Sequence, residues 1–483
     1  MRTLVNLFFF ICIPMICSAQ TRGNSSVKSL KDLAAKNIDG DHERFRKIAM
    51  DIWNFAEVGY KEEQSSALLA RTLKENGFNV QSGVAGIPTA FVATFGTGEP
   101  VIGILAEFDA LPGLSQDATP ERRPIIGKDA GHGCGHHLFG TASVAAGIEL
   151  KKLIAAKKLN GTVKVLGTPA EEGGSGKVYM VREGLFDDVD AVLHWHPGDR
   201  NEVTMSSALA NKSAKFRFYG VSAHAASAPD KGRSALDAVE SLNYMVNMMR
   251  EHVSSDTRIH YVITDGGKAP NVIPDFAEVY YYVRHPKREQ TVATFERIVN
   301  AAKGAALGTE TTMDYEIIGG THDLLINKTL AKTMYENLKT VGGVAYNKND
   351  VQFAEQIQST FKDLQSPISS ANSIIPLRSD VNVWPASTDV GDVSYVTPTV
   401  GLYSATWVPG TAAHSWQAVA CGATPIGMKG MIVAAKTMAL TGIDLLADPV
   451  LIKKAKEELT ENIGDYQYKA LLGDRNPALN YRD

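Results

Sequence analysis

The segment Gly131-His132-Gly133-Cys134-Gly135-His136-His137 places three imidazoles and one thiol within six positions. Thiolate and imidazole are the ligands that borderline-soft divalent ions such as Zn²⁺ take. Cys134 and His136 are two apart, so a short extended segment or tight turn could aim both at one ion. Gly133 and Gly135 admit backbone conformations that side chains forbid. Alone, the cluster also fits a structural zinc knuckle, an adventitious metal loop or polar residues at a helix start. Further ionisable residues widen it: Asp109 after Glu107-Phe108, Glu171-Glu172 after Pro169-Ala170, His194-Trp195-His196-Pro197, and His414 in Gly410-Thr411-Ala412-Ala413-His414-Ser415. If they converge, carboxylates, imidazoles and a thiolate suffice for one or two metal ions and a water-activating base. Singly, Asp109 or His414 could cap a helix, and His196 could be a satisfied core histidine. Their recurrence at the ends of successive apolar runs favours one site.

Those runs predict the elements that position them. Thr89 to Thr94, Val101 to Phe108, Thr162 to Thr168 and Ala191 to His196 read as strands, the last three nearly all apolar, as in a covered sheet. Helices are expected from Glu43, where Phe45, Ile48, Ile52 and Phe55 make one face, over Ser66 to Asn76, Thr141 to Lys158 and Lys177 to Glu183. Strand, polar tip and helix alternate, which predicts an α/β core whose ligand site gathers beyond the carboxyl ends of the strands. Near residue 211 the texture changes. Ala214 to Tyr219, Thr257 to Thr264, Ala277 to Arg284 and Thr311 to Ile318 read as strands, with helices over Arg233 to Glu251 and Val292 to Leu307. The order β-α-β-β-α-β is that of a ferredoxin-like domain. The expected division is a signal segment 1–19, a loose polar leader 20–42, a catalytic domain in two parts at 43–210 and 325–455, an inserted domain 211–324, and a peripheral tail 456–483. Residues 347–378 read as long loops near the site.

Residues 1–19 look like a secretion signal: Arg2, an apolar run from Leu4 to Cys17, and Cys17-Ser18-Ala19 as the cleavage site. The expectation is an exported protein, periplasmic or extracellular, with no stable membrane insertion, since the run is short for a span and no later segment reads as long and apolar enough. A net charge of −4 gives no electrostatic case for nucleic acid. Removing Cys12 and Cys17 leaves Cys134 and Cys421, which could pair in an oxidising compartment or serve as a metal thiolate and a buried small hydrophobe.

The elements Ala106-Glu107-Phe108-Asp109-Ala110-Leu111-Pro112-Gly113, Gly131 to His136, Pro169-Ala170-Glu171-Glu172-Gly173-Gly174 and Trp195-His196-Pro197 resemble those of the metal-dependent aminoacylase and carboxypeptidase superfamily. The resemblance is nearest to its amidohydrolase branch, which includes the catalytic B subunit of aminobenzoyl-glutamate hydrolase, and runs from about residue 43 to about 450. It implies a metallopeptidase-like core of helices around a mixed sheet, with an inserted ferredoxin-like lid and dimerisation domain. It further implies Cys134 as a bridging ligand, His136, Glu172, His196 and His414 as the other ligands of one or two Zn or Mn ions, and Glu171 as general base. Asp109 would orient a ligand, and His196 is preferred over His194. His224, in Gly220-Val221-Ser222-Ala223-His224-Ala225, resembles a histidine handed across a dimer interface. Asn271 and Arg284 resemble residues near the substrate's carboxylate or carbonyl. Glu107 stands where relatives often have histidine or aspartate, and His137-Leu138-Phe139 departs from the usual continuation.

The chemistry implied is hydrolysis of an amide between an acyl or aromatic group and an amino acid, of the aminobenzoyl-glutamate type, by a homodimer with a related partner subunit. A turn after a strand could aim Glu172 at an ion and Glu171 at the attacking water. The alternatives are a dipeptidase or carboxypeptidase on the same metal centre, a thiol enzyme built on Cys134 and His136, a serine hydrolase built on Ser175, and an idle exported binding protein. Ser175 lacks the Gly-x-Ser-x-Gly elbow, and a binding module has no need of a base beside a ligand.

Overall fold

The computed structural model describes residues 17–363 and 366–482, with side chains from residue 26 onward. The sequence start read as a secretion signal lies outside the described residues as far as residue 16. The first core strands are β1 (Asn79–Ser82), β2 (Phe91–Thr97), β3 (Val101–Ala106), β4 (Gly161–Gly167), β5 (Ala191–Gly198) and β6 (Glu202–Val203). After the short β7 (Ser206–Ser207) come β8 (Ala210–Tyr219), β9 (Arg258–Asp265), β10 (Phe276–His285) and β11 (Thr312–Thr321). The chain then returns through β12 (Asn382–Val383) to β13 (Thr399–Ala405).

Seven strands form the core sheet in the order β1-β2-β4-β3-β5-β13-β6. Its middle, β4-β3-β5-β13, is parallel, and antiparallel β1, β2 and β6 finish the two sides. Every residue of β3 is buried, because helices cover the parallel strands, and this is why these runs read as continuously apolar. The parallel strands point their carboxyl ends one way, so the loops that follow them meet on one rim.

The inserted segment runs β8, helix Ala235–Met249, β9, β10, helix Arg288–Gly308, β11. Its antiparallel sheet has the order β11-β8-β10-β9, the ferredoxin-like arrangement. Phe216, Phe218, Val239, Val279, Tyr281, Phe295 and Ile298 form a core of their own, apart from the main cluster.

Four expectations need correction. Residues 20–42, read as a loose leader, fall largely within the helix Cys17–Gly40. Ala34 and Ile38 are buried in the main core, Lys31 pairs with Asp444 at 2.6 Å, and Asn37 donates to Glu149 at 2.8 Å. Sparse apolar residues suffice when polar neighbours find partners. Residues 347–378 are not simply long loops, since Lys348–Gln358 is a helix opened by a capping box between Asn347 and Asp350. The tail is not peripheral: Leu471 and Leu472 are buried, and Tyr481 and Arg482 reach the 171–174 turn. Lastly, the helix Pro425–Ala447 is long and apolar enough to cross a membrane, contrary to expectation. It is buried inside the protein, where Gly442 admits Leu150 from the helix His136–Ala155, and a core helix enclosed all round carries the composition of a span.

Candidate metal centre

The helix His136–Ala155 starts earlier than its alanine-rich body suggested, so His136 is its first residue. Gly135 precedes it at φ 77°, and a side chain there would meet Pro197. Cys134 and His136 thus sit at the helix N-terminus, whose partial positive charge favours the anionic groups gathered in front of it. The remaining strand ends supply those groups. Glu107 and Asp109 follow β3, Glu171 and Glu172 follow β4, His196 is on β5, and His414 lies in the loop after β13. Ala170 and His414 both hold positive φ, at 57° and 58°. For residues with a Cβ this costs of order 1–3 kcal/mol and collects at functional sites.

Donor atoms of Cys134, His136 and His196 lie within 4.8 Å of one another, and so do those of Cys134, Glu172 and His414. A third group, Glu107, His136 and Glu171, meets the same limit. All five residues expected as ligands are therefore together, with Cys134 common to two groups. Cys134 Sγ is 3.3 Å from His196 Nε2, and His414 Nε2 is 3.1 Å from Glu172 Oε1. His194 belongs to none of these groups; its ring lies against Gly401, one rung back along β5.

The imidazoles are set for ligation through Nε2. His136 Nδ1 donates to Asp109 Oδ1 at 2.8 Å, and His196 Nδ1 donates to the Pro197 carbonyl at 2.7 Å. Holding one ring nitrogen this way fixes the tautomer and aims the other. Asp109 Oδ2 accepts from the Glu172 backbone N–H at 2.9 Å, so one buried carboxylate ties two ligand-bearing segments together. His136 Nε2, Glu107 Oε2 and Glu172 Oε1 are buried and make no well-aligned hydrogen bond, although His136 Nε2 lies 3.1 Å from Glu107 Oε2 and Glu172 Oε1 lies 3.1 Å from His414 Nε2. Poorly aligned buried donors and acceptors of this kind are the lone pairs a cation among them would engage. The donor set thus fits a divalent transition-metal ion.

Electrostatics agree with that fit. Burial, then the Glu172 and Glu171 carboxylates, holds the Cys134 thiol well above its ordinary range, so an ion bound by this sulfur would have to displace a proton. Burial would lower His136, but Cys134, Asp109 and Glu107 push it well above the usual imidazole range. Burial and then Glu107, Glu172 and Asp389 raise the Glu171 carboxyl far above the carboxylate range. Glu172 is held down against burial, chiefly by its contact with His414. The two neighbouring carboxyls are thus pushed apart, and a cation among the donors would draw the Glu171 carboxyl back down into the range of a base.

The other expected residues lie elsewhere. His224 is exposed, with Nδ1 accepting from Ala226 and Ser227 N–H groups. Asn271 is exposed beside it, its carbonyl accepting from Ala225 N–H. Arg284 stacks over Tyr282 with its Nε buried and unpaired. None of the three belongs to the donor groups of this protomer. Cys134 and Cys421 are free thiols.

Sequence reasoning missed Lys177, Asp389, Tyr481 and Arg482. Lys177 is fully buried and pairs with both Glu107 and Asp389 at 2.7 Å. Tyr481 Oη and Arg482 Nη2 donate to the Glu172 carbonyl at 3.1 and 2.7 Å. Glu107 was flagged only as a departure from relatives. A lysine opening a short helix and a polar tail carry no local signal of burial.

The model of peptidase family M20/M25/M40 matches residues 103–374. The chain is 42% identical to the B subunit of p-aminobenzoyl-glutamate hydrolase from Escherichia coli, over 87% of this chain and 93% of that one. The chain belongs to peptidase family M20/M25/M40. Within that family it is a hydrolase. It is also 29% identical to the Xaa-Arg dipeptidase of Mus musculus, over 91% of this chain and 94% of that one. Among solved structures, a putative aminohydrolase from methicillin-resistant Staphylococcus aureus superposes with a TM-score of 0.66 at 18% identity, covering 86% of this chain and 100% of that one. That likeness establishes a shared fold with a mixed α/β core.

Proposed function

We propose that this chain hydrolyses an amide joining an acyl or aromatic group to an amino acid, with aminobenzoyl-glutamate the first compound to test. The observation that carries this reading is Cys134 shared by two donor groups, with Glu171 in a third that shares His136 with the first. The 42% identity to a hydrolase named for that amide supports the substrate class. Cys134, His136, Glu172, His196 and His414 would hold one or two divalent ions. Thiolate favours zinc, whereas imidazole and carboxylate tolerate manganese. Such an ion supplies polarisation of the scissile carbonyl and acidification of water. Glu171 takes the water proton and delivers it to the leaving nitrogen. Asp109 orients His136 through Nδ1. A thiol enzyme is disfavoured, because its cysteine needs a lowered pKa and Cys134 has the opposite.

His224 and Asn271 stand exposed on neighbouring loops of the inserted domain, which suits residues lent to a second protomer's site. Arg284 keeps an unpaired Nε, which suits a carboxylate clamp. A homodimer through that domain has a fitting surface. The edge strand β9 exposes Tyr261, Val262 and Ile263, and the helix Ala235–Met249 exposes Tyr244 and Met248. Unpaired apolar edges of this kind invite strand pairing. A monomer by light scattering at micromolar concentration would remove the dimer. That the Escherichia coli relative is one of two named components of its hydrolase supports a related partner for this chain. Export with cleavage near Ala19 is tested by fractionation and by the mass of the mature N-terminus.

The deciding assay compares N-acyl amino acids, dipeptides and aminobenzoyl-glutamate with added Zn²⁺ or Mn²⁺, with and without chelator. The expected result is metal-dependent release of the amino acid from acyl or aroyl conjugates. The likeness to a dipeptidase gives the second reading. Dipeptides turning over about a hundredfold faster in kcat/KM, some 2.7 kcal/mol in transition-state binding, would replace the first with it.

A further inference from the structure

Lys177 is the second residue of the helix Gly176–Arg182, five positions after Glu172, and its side chain has no exposure. Its Nζ lies 2.7 Å from Glu107 Oε1 and 2.7 Å from Asp389 Oδ1, while its backbone N–H donates to Asp389 Oδ2 at 3.0 Å. Glu107 and Asp389 are themselves buried, and the other oxygen of Glu107 is 3.1 Å from His136 Nε2 with no hydrogen-bond partner. Lysine is almost never fully buried unless paired. A buried ion pair is a poor source of stability, since well-packed apolar residues of similar volume often serve as well. Stability alone therefore gives little reason for an ammonium here.

We infer that Lys177 is a positioning residue of the metal centre: it fixes the Glu107 carboxylate against His136 and ties the segment after the Glu171-Glu172 turn to Asp389. The inference rests on reading the donor cluster as a metal site. Three distant parts of the chain meet at one ammonium: the end of β3, the turn after β4, and the start of the helix Val390–Ser394. Lysine suits this junction because its point charge can serve two carboxylates from different directions. Asp389 spends one oxygen on the ammonium and the other on the helix N-terminus, so the clamp is anchored to backbone as well. Freed from Lys177, Glu107 could turn its carboxylate away from the position it holds beside His136, or swing into the ion's place. Either change alters the field and geometry at the Nε2 of His136, without removing any of the five donors.

The test uses the full chain loaded with Co²⁺, whose visible and thiolate charge-transfer bands report ligand geometry independently of turnover. The variants are Lys177→Met and Lys177→Met/Asp389→Asn, the second leaving no unpaired carboxylate at 389. Asp389→Asn alone keeps the contact between Lys177 and Glu107. We expect the folded Lys177 variants to bind cobalt about 10–100-fold more weakly, the usual effect of losing a group that orients a ligand, and to shift both bands. Asp389→Asn, which loosens the clamp but leaves Lys177 on Glu107, should weaken binding and shift the bands less than either Lys177 variant. If the double variant folds and binds within threefold of wild type with an unchanged spectrum, Lys177 only fills space and the inference is overturned. Should both Lys177 variants fail to fold, Glu107→Gln decides: the same loss and spectral shift support the clamp, and wild-type behaviour removes it. Wild-type protein that takes up no cobalt would refute the metal-centre reading itself, a separate result from unequal binding among variants.

Discussion

Replacing Asp109 by asparagine tests how the site is held together. The carboxylate is buried, and its two oxygens accept from two different donors, His136 Nδ1 at 2.8 Å and Glu172 N–H at 2.9 Å. An amide has one acceptor oxygen in place of two. If that oxygen keeps the Glu172 N–H, the amide NH₂ faces His136 Nδ1. The ring must then take the other tautomer, with its proton on Nε2, where the metal should bind. If the oxygen keeps His136, the Glu172 N–H is left buried against another donor. Either arrangement loses one hydrogen bond to a charged group, about 1.5–3 kcal/mol. That range corresponds to about 12- to 160-fold in an equilibrium constant, close to the 10–100-fold typical when a residue orienting a metal ligand is lost. Chelator competition with Zn²⁺ should therefore show Asp109→Asn binding tens of times more weakly than wild type. Equilibrium unfolding of the metal-free protein serves as a control for general damage. Affinity within twofold of wild type, in a folded variant, would refute the orienting role of Asp109.

Glu171→Gln should keep metal content while losing about 10²–10⁴-fold in turnover, and a rate within threefold of wild type would remove Glu171 as base. Cys134→Ser should lose metal by elemental analysis after reconstitution, and unchanged content would take Cys134 out of the ligand set. His224→Ala should lower turnover without emptying the site, and mixing it with Glu171→Gln protomers should restore part of the activity. No recovery after proven exchange of protomers argues that His224 does not act across a dimer. At Gly401 an added Cβ would lie about 2.2 Å from the His194 ring, so Gly401→Ala should cost about 1–3 kcal/mol by overpacking; an unchanged denaturation midpoint would mean that β5 and β13 can part freely.

Much of this molecule was legible in the chain. The parallel strands announced themselves because burial on both faces leaves only apolar residues, as in Val101 to Ala106. Their polar tips marked the rim, and Cys134, His136, Glu172, His196 and His414 do meet there. The inserted domain was readable because alternation and helical periodicity switch in a known order. What could not be read depends on long-range contacts. Lys177 looks like any helix-opening lysine until Glu107 and Asp389, 70 positions before it and 212 after, close around it. Polar residues of the stretches 26–40 and 480–482 hid their docking because they find partners on the core, such as Lys31 on Asp444 and Arg482 on the Glu172 carbonyl, and the Pro425–Ala447 helix misled because enclosure by protein and by lipid select the same residues. His194 and His196 share one strand, and their neighbours separate them: Gly401 stands against the first, while the second meets Cys134 and Tyr403.

The first and last strands of the inserted domain are neighbours: β8 pairs with β11, and Asn211 lies opposite Thr321. Residues paired across an antiparallel ladder have Cα atoms about 4.5–5.5 Å apart, so the chain leaves the core and rejoins it at nearly the same point. Some hundred residues are thereby spliced in with almost no separation of the flanking ends, and the core halves can close as though they were contiguous. Such a module can lengthen, shorten or tilt without shifting the register of β5 against β13, on whose rim the donor atoms depend. The insert can thus vary under selection, while the strands that carry the clustered donor residues keep their spacing.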